Sequence, residues 1–169
     1  RMASISGCTA SGEGGASRGM RLKQALASGL PDDEIVLIDA PPSAGLLAMN
    51  VLMAVDELII PVTGEFLALH GVSRFMRILQ HIDESLDRQT KLWIVLTRFN
   101  ERRRLAREVR DKLVEHFPGM VLATPVRESA AVAESPAAAL SIFEYQKRGK
   151  AAEEYRQLAD DLMNARTLS

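Results

Sequence analysis

At 169 residues, with 47% hydrophobic and 25% charged side chains, the chain carries enough apolar surface for one globular domain with a real core and does not have the composition of a disordered segment. A formal charge of −1 excludes a global attraction to nucleic acid, so any such attraction must be local. The apolar stretches, such as residues 44–55, are too short and interrupted to span a membrane, no secretory signal is visible, and the lone Cys8 supports neither an intrachain disulfide nor a structural zinc or iron–sulfur site, so a cytoplasmic home is expected.

Residues 1–17 read as a flexible leader. Their Gly-rich stretch, Gly12-Glu-Gly-Gly15-Ala-Ser-Arg-Gly19, has no lysine, carries Glu13 where anion binding needs positive charge, and follows no apolar strand. The start at Arg1 rather than at a methionine reads as a fragment. Met20, Leu22, Ala25 and Leu26 then predict a helix over 18–28, closed by Gly29 and Pro31. Strands are expected at 35–39, 58–62, 92–97 and 121–124, each separated from the next by a helical segment. That alternation predicts an α/β fold, a parallel sheet with helices on both faces. The helix expected over 66–85 places Leu67, Gly71, Phe75, Ile78 and Ile82 on one face, and the last, over 150–165, does so with Ala151, Tyr155, Leu158, Ala159 and Leu162. The domain is thus expected over 18–165, with a loose tail at 166–169.

Within this frame one carboxylate stands out. Ile35 to Ile38 form an unbroken apolar run, as expected of a strand covered on both faces, and Asp39 follows at its carboxyl end, where open α/β sheets bind ligands. Pro41 and Pro42 stiffen the exit before Gly45 to Ala54 turn back as a helix. The arrangement has the shape of a Walker B element, an aspartate beside a site for Mg²⁺ and phosphate; an Asp that merely caps the next helix reads equally well from these residues.

A second cluster is basic. Arg98, Arg102, Arg103, Arg104, Arg107, Arg110 and Lys112 face only Glu101, Glu108 and Asp111, a local balance of +4 that leaves about −5 for the rest. On a helix, Leu105, Val109 and Leu113 form the expected buried stripe, and Arg103, Arg107 and Arg110 an exposed ridge. Guanidinium forks suit phosphate backbones without reading bases. A solvated face laced by Arg104–Glu108 and Arg107–Asp111 pairs is the plainer alternative.

Asp39-Ala-Pro-Pro-Ser43, Gly45-Leu-Leu, Asn50, Ala54-Val-Asp-Glu-Leu-Ile-Ile-Pro61-Val, Glu65-Phe-Leu-Ala-Leu, Gly71, Leu96-Thr-Arg-Phe-Asn100, Leu105-Ala-Arg-Glu-Val109, Arg127-Glu-Ser and Ala133-Glu-Ser-Pro136 together resemble the ParA branch of the ParA/MinD deviant-Walker P-loop ATPases, across roughly residues 18 to 165. The family's lysine-bearing Walker A loop is not seen in this sequence. The resemblance implies a P-loop NTPase-like fold and, in the full-length protein, ATP hydrolysis. ATP would be bound with Mg²⁺, Asp39 acting at the chemical step and holding the metal through water. It implies a homodimer with Glu65 at its interface and Pro125 and Arg127 in the loop beside the adenine. It further implies non-specific binding of double-stranded DNA, for which Arg103, Arg107 and Arg110 are the candidates, a nucleoid-associated cytoplasmic location, and a ParB-like or other partner that stimulates hydrolysis. The chain by itself is expected to be inactive, because the missing loop supplies most of the hydrogen bonds to phosphate.

Rival classes fare less well. A MinD-like membrane ATPase should end in a basic amphipathic helix, whereas Asn164-Ala-Arg-Thr-Leu-Ser169 has one charge. A nitrogenase-type iron protein needs bridging cysteines that Cys8 cannot supply. His70, His81 and His116 form no ligand pattern, and Ser43 lacks the Gly-x-Ser-x-Gly elbow. The serious competitor is a degenerate, non-catalytic ParA-like module that keeps an interaction or DNA surface.

Overall fold

The computed structural model describes residues 18–28, 34–40, 45–65 and 67–168. The chain divides into two compact units, one running up to Asp56 and taking in His81–Thr90, the other comprising Glu57–Gln80 and the chain from Lys91 onward. Pro41, Pro42, Ser43 and the glycines of the leader up to Gly15 lie outside the described residues, as does Cys8.

In the first unit, helix α1 (Arg21–Ala27) and helix α2 (Leu46–Ala54) are tied by Asn50. Its amide Nδ2 donates to the carbonyls of Arg18 at 2.7 Å and Leu46 at 2.9 Å, while its Oδ1 accepts the Leu22 N–H at 3.2 Å. The other end of α2 is closed by charge. Arg88 Nη1 donates to the carbonyls of Met53 at 3.0 Å and Val55 at 3.3 Å, and Nη2 to that of Leu52, so a cation meets the orphan acceptors at the negative end of the helix. Arg88 is in turn aimed by Asp83, which accepts its Nε at 3.1 Å and also the Thr90 N–H and hydroxyl, both at 2.7 Å. Burial by itself raises the Asp83 carboxyl, but the bonds from Thr90 and Arg88 outweigh it and hold the group below the ordinary carboxylate value.

The expected strand at 35–39 is extended backbone with a single bridge position, at Leu37. It is not covered on both faces: Ile35 is 62% and Leu37 60% exposed, while Val36 and Ile38 are half-buried. The reason is the two-residue period of extended chain, which turns alternate side chains to opposite sides, and only one side here meets packing.

The second unit is built on strands β1 (Glu57–Thr63) and β2 (Lys91–Thr97), paired parallel in register from Glu57↔Lys91 to Thr63↔Thr97. Leu92 to Leu96 of β2 are all buried, as an internal parallel strand requires, whereas β1 alternates and leaves Ile59 40% exposed. Residues 120–127 run beside the other edge of β2. The Ile94 N–H donates to Met120 and the Leu122 N–H to Ile94, then the Val126 N–H to Leu96, each at 2.8 Å; the Phe99 N–H donates to Val126 at 3.1 Å. In place of the strand expected at 121–124 there are isolated bridges, Ile94↔Val121 in parallel, with a further parallel bridge, Phe99↔Arg127, beyond that range. The chain is an α/β protein with a parallel sheet, as the alternation of elements predicts.

Helix α3 (Leu67–Leu86) follows β1, α4 (Arg104–His116) follows β2, and α5 (Ala130–Glu134), a 3₁₀ turn (Ser135–Ala138), α6 (Ile142–Tyr145) and α7 (Lys150–Met163) complete the order. Leu158 and Leu162 of α7 pack on Trp93, Val95 and Leu122, while Ala151 and Ala152 pack with Ile142. The buried faces of three helices differ in part from expectation; on α7, Ala159 is exposed while Glu154 and Asp161 are buried. On α3 the buried residues are Val72, Leu79 and Ile82, whereas Gly71 is exposed and Ile78 is 46% exposed. On α4 they are Ala106, Val109 and Leu113, and Leu105 is 48% exposed. Val109 and Leu113 are buried as expected, and the small Ala106 takes the place of Leu105 where Gly64 approaches α4. The last residues are not loose: the Ala123 N–H donates to Arg166 at 3.1 Å and the Leu168 N–H to Val121 at 2.8 Å, with an antiparallel bridge Leu122↔Thr167.

Candidate functional site

Two backbone exits converge at the carboxyl ends of β2 and of the parallel segment beside it. After Thr97 the chain turns through Arg98, whose φ of 49° is left-handed, and buried Phe99; Asn100 then caps the next turn, its Oδ1 accepting the Arg102 N–H at 3.0 Å. After Val126 comes Arg127, bridged to Phe99. Between the exits lies a cleft of about 430 Å³, walled by Phe99, Asn100, Glu101 and Arg102 on one side and Arg127 and Glu128 on the other, with Lys150 at the start of α7. The carboxyl ends of adjacent parallel strands are where such sheets take ligands, in the crevice between the loops that leave them.

Arg127 is the most constrained side chain of the cleft. Glu154, only 4% exposed on α7, accepts its backbone N–H at 2.9 Å with one oxygen and its Nη1 at 2.6 Å with the other. Its Nη2 donates to Glu101 Oε1, also at 2.6 Å. The hydrogen bond to Glu154 is the main reason that the guanidinium is held above its ordinary pKa, against the opposing effect of burial. Glu154 and Glu101 were not among the sequence candidates. A signal for Glu154 exists in retrospect: a carboxylate at position 154 falls inside the apolar stripe of Ala151, Tyr155 and Leu158, where an acid needs a buried partner.

The other candidates are distributed. Pro125, half-buried, leads into the Arg127 turn. Glu65 is exposed just after β1, its N–H donating to Thr63 at 2.8 Å. Gly64, next to it, lies so near α4 that an added Cβ would come to 2.9 Å from that of Ala106. Asp39 ends the extended segment of the first unit and is exposed. Along the arginine face, Arg103 is the cap residue before α4 rather than part of it. Arg107 is exposed and donates Nη1 to the Glu101 carbonyl at 2.6 Å, and Arg110 is taken by Asp111 at 2.8 Å. The Arg104–Glu108 pair forms at 2.7 Å, but the Arg107–Asp111 pair does not, because Asp111 is already engaged by its neighbour. Among the described residues no group of three or more His, Cys, Asp or Glu could hold a metal, and no helix is long and apolar enough to cross a membrane.

The architecture defines a parallel-sheet α/β protein with a cleft at the strands' carboxyl ends. A family model described as an AAA domain matches residues 10–92. The cell division protein PomZ of Myxococcus xanthus is 31% identical over 149 residues, which cover 88% of this chain and 47% of that protein. The chromosome-partitioning ATPase Soj of Thermus thermophilus is 32% identical over 142 residues, 82% of this chain and 57% of Soj. Among solved structures, cobyrinic acid a,c-diamide synthase from Mycobacterium smegmatis, with bound ATP analog and magnesium, superposes with a TM-score of 0.68 at 29% identity, over 88% of this chain and 55% of the synthase. The chain belongs to the ParA/MinD family of P-loop ATPases. It spans about half the length of the curated relatives it matches.

Proposed function

We propose that this chain is part of a ParA-type partition ATPase, in which ATP and Mg²⁺ control a homodimer that holds DNA non-specifically and releases it when a ParB-like partner stimulates hydrolysis. The observation that carries the reading is the cleft at the exits of β2 and residues 120–127, with Arg127 fixed in its wall. Pro125 and Arg127 would border the base of the nucleotide, a planar guanidinium being a good stacking surface for a heteroaromatic ring. Asp39 suits Mg²⁺: it is one exposed carboxylate near the end of an extended segment, followed in sequence by two prolines, and that ion takes few protein oxygens, keeping waters and phosphate oxygens for the rest. Bound there, Mg²⁺ would neutralise charge on the phosphates; the part of Asp39 is to orient the ion's water shell. The exposure of Glu65 beyond β1 supports a role for it in meeting a second copy. Exposed Arg103 and Arg107, with Arg110, give a face for phosphate backbones, and doubling it in a dimer turns weak binding into a switch governed by ATP.

Calorimetric titration of the full-length protein with ATP, with and without Mg²⁺, tests the reading together with DNA binding by the ATP-loaded form. Saturable Mg²⁺-dependent ATP binding and ATP-dependent DNA retention are expected; DNA binding indifferent to ATP would overturn it. A second reading is a non-catalytic module that keeps the DNA or partner surface. Under it, DNA is retained without ATP.

A further inference from the structure

We infer that Glu154 is a specificity-determining positioning residue, which presents Arg127 to the cleft as a neutralised flat surface and so makes the cleft select the uncharged heteroaromatic end of a ligand over a phosphate. The inference rests on the nucleotide reading above. A lone arginine in a cleft binds phosphate oxygens by its fork. Arg127 reaches the cleft with each arm of that fork tied to a carboxylate: Nη1 is on Glu154 and Nη2 on Glu101, both at 2.6 Å. Glu154 is buried behind it, with 6% of its side chain exposed, so this partner is not exchanged with solvent or with a passing anion. It also takes the Arg127 backbone N–H, fixing the turn as well as the side chain. Glu101, at 53% exposure, is the weaker member of the triad. Two carboxylates, Glu154 and Glu101, therefore stand against the single charge of Arg127, while Glu128 of the lining is paired with Arg98. What Arg127 still offers is its plane, a third of the side chain being accessible. A guanidinium whose charge is met by carboxylates still stacks its plane on a base, while the same carboxylates oppose the approach of an anion.

The test measures the affinities of the protein for adenosine and for inorganic phosphate separately, by NMR titration. Glu154→Gln keeps the shape and removes the charge; it should lower the ratio of adenosine to phosphate affinity at least tenfold, with phosphate binding strengthened. Glu101→Gln, at an exposed position that poses no threat to folding, should shift the ratio in the same direction by a smaller factor. A ratio unchanged in either variant, or a Glu154→Gln protein in which both affinities fall together, overturns the assignment, since a merely structural residue would act in that way. If the unaltered protein binds no adenosine at all, the nucleotide reading fails and this inference with it, whereas adenosine binding with an unaltered ratio removes the inference alone.

Discussion

Glu154 holds Arg127 at two points at once, 2.9 Å from its backbone N–H and 2.6 Å from Nη1, across 27 residues of sequence. One buried carboxylate thereby joins the α7 helix to the turn that follows the parallel segment beside β2. Glu154→Ala should leave the guanidinium beside an apolar wall without its main partner, and we expect a loss of about 2 to 3 kcal/mol of stability, the scale of hydrogen bonds to charged groups. Urea denaturation monitored at Trp93, which is buried in the same unit, reads this directly. A midpoint unchanged from the unaltered protein would mean that water replaces the carboxylate at little cost.

Asp83 supplies a pH dependence of known sign. Its folded pKa lies below the ordinary value, so it binds protons less readily in the folded state, and the stability it contributes is present above the unfolded carboxylate pKa near 4 and lost as pH falls through the folded value. Asp83→Asn should therefore be less stable at neutral pH, with a shallower acid limb, and should approach the unaltered protein at low pH. Thermal unfolding across the pH range checks it; parallel curves for the two proteins would contradict it.

Gly64→Ala tests the close approach of the β1 exit to α4. The new Cβ would meet Ala106 Cβ at 2.9 Å and its Cα at 3.2 Å, and neither belongs to a flexible side-chain end that could move aside. Overpacking of this kind costs about 1 to 3 kcal/mol. Adding Ala106→Gly should recover part of the loss. Failure of that rescue would place the strain elsewhere.

The arginine face and Asp39 should separate in function. Replacing Arg103, Arg107 and Arg110 together by alanine is expected to weaken binding to any duplex about equally and to flatten its salt dependence by roughly 0.9 in log–log slope for each phosphate no longer neutralised. In the full-length protein, ATP turnover without DNA should barely change. Asp39→Ala should impair Mg²⁺-dependent hydrolysis and leave the arginine surface intact. Electrophoretic mobility shifts over a salt series, beside a phosphate-release assay, measure both; unaltered DNA affinity in the triple variant would reduce the ridge to a solvated helix face.

The local elements were legible because their causes are local. The apolar run of β2, the period of α7 and the helix that follows Arg103 lie within single stretches of sequence, and the structure has them at Lys91–Thr97, Lys150–Met163 and Arg104–His116. The motif set from Asp39 to Pro136 was enough to place the chain in its family. Which side of a helix is buried was not decided locally: Leu105 and Ala106 compete for the inward position of α4, and the closeness of Gly64 admits only the smaller. Nor was the fate of Ile35 and Leu37, since an apolar run is compatible with one covered face or two. The partners of Arg127 lie 26 residues before it and 27 after it, at Glu101 and Glu154, and the bridge of Thr167 to Leu122 likewise spans distant parts of the chain. Sequence periodicity reports how each segment divides its own surface; it carries no term for the distances between segments, and hydrogen bonds and ion pairs form only where packing has brought those segments within about 3 Å.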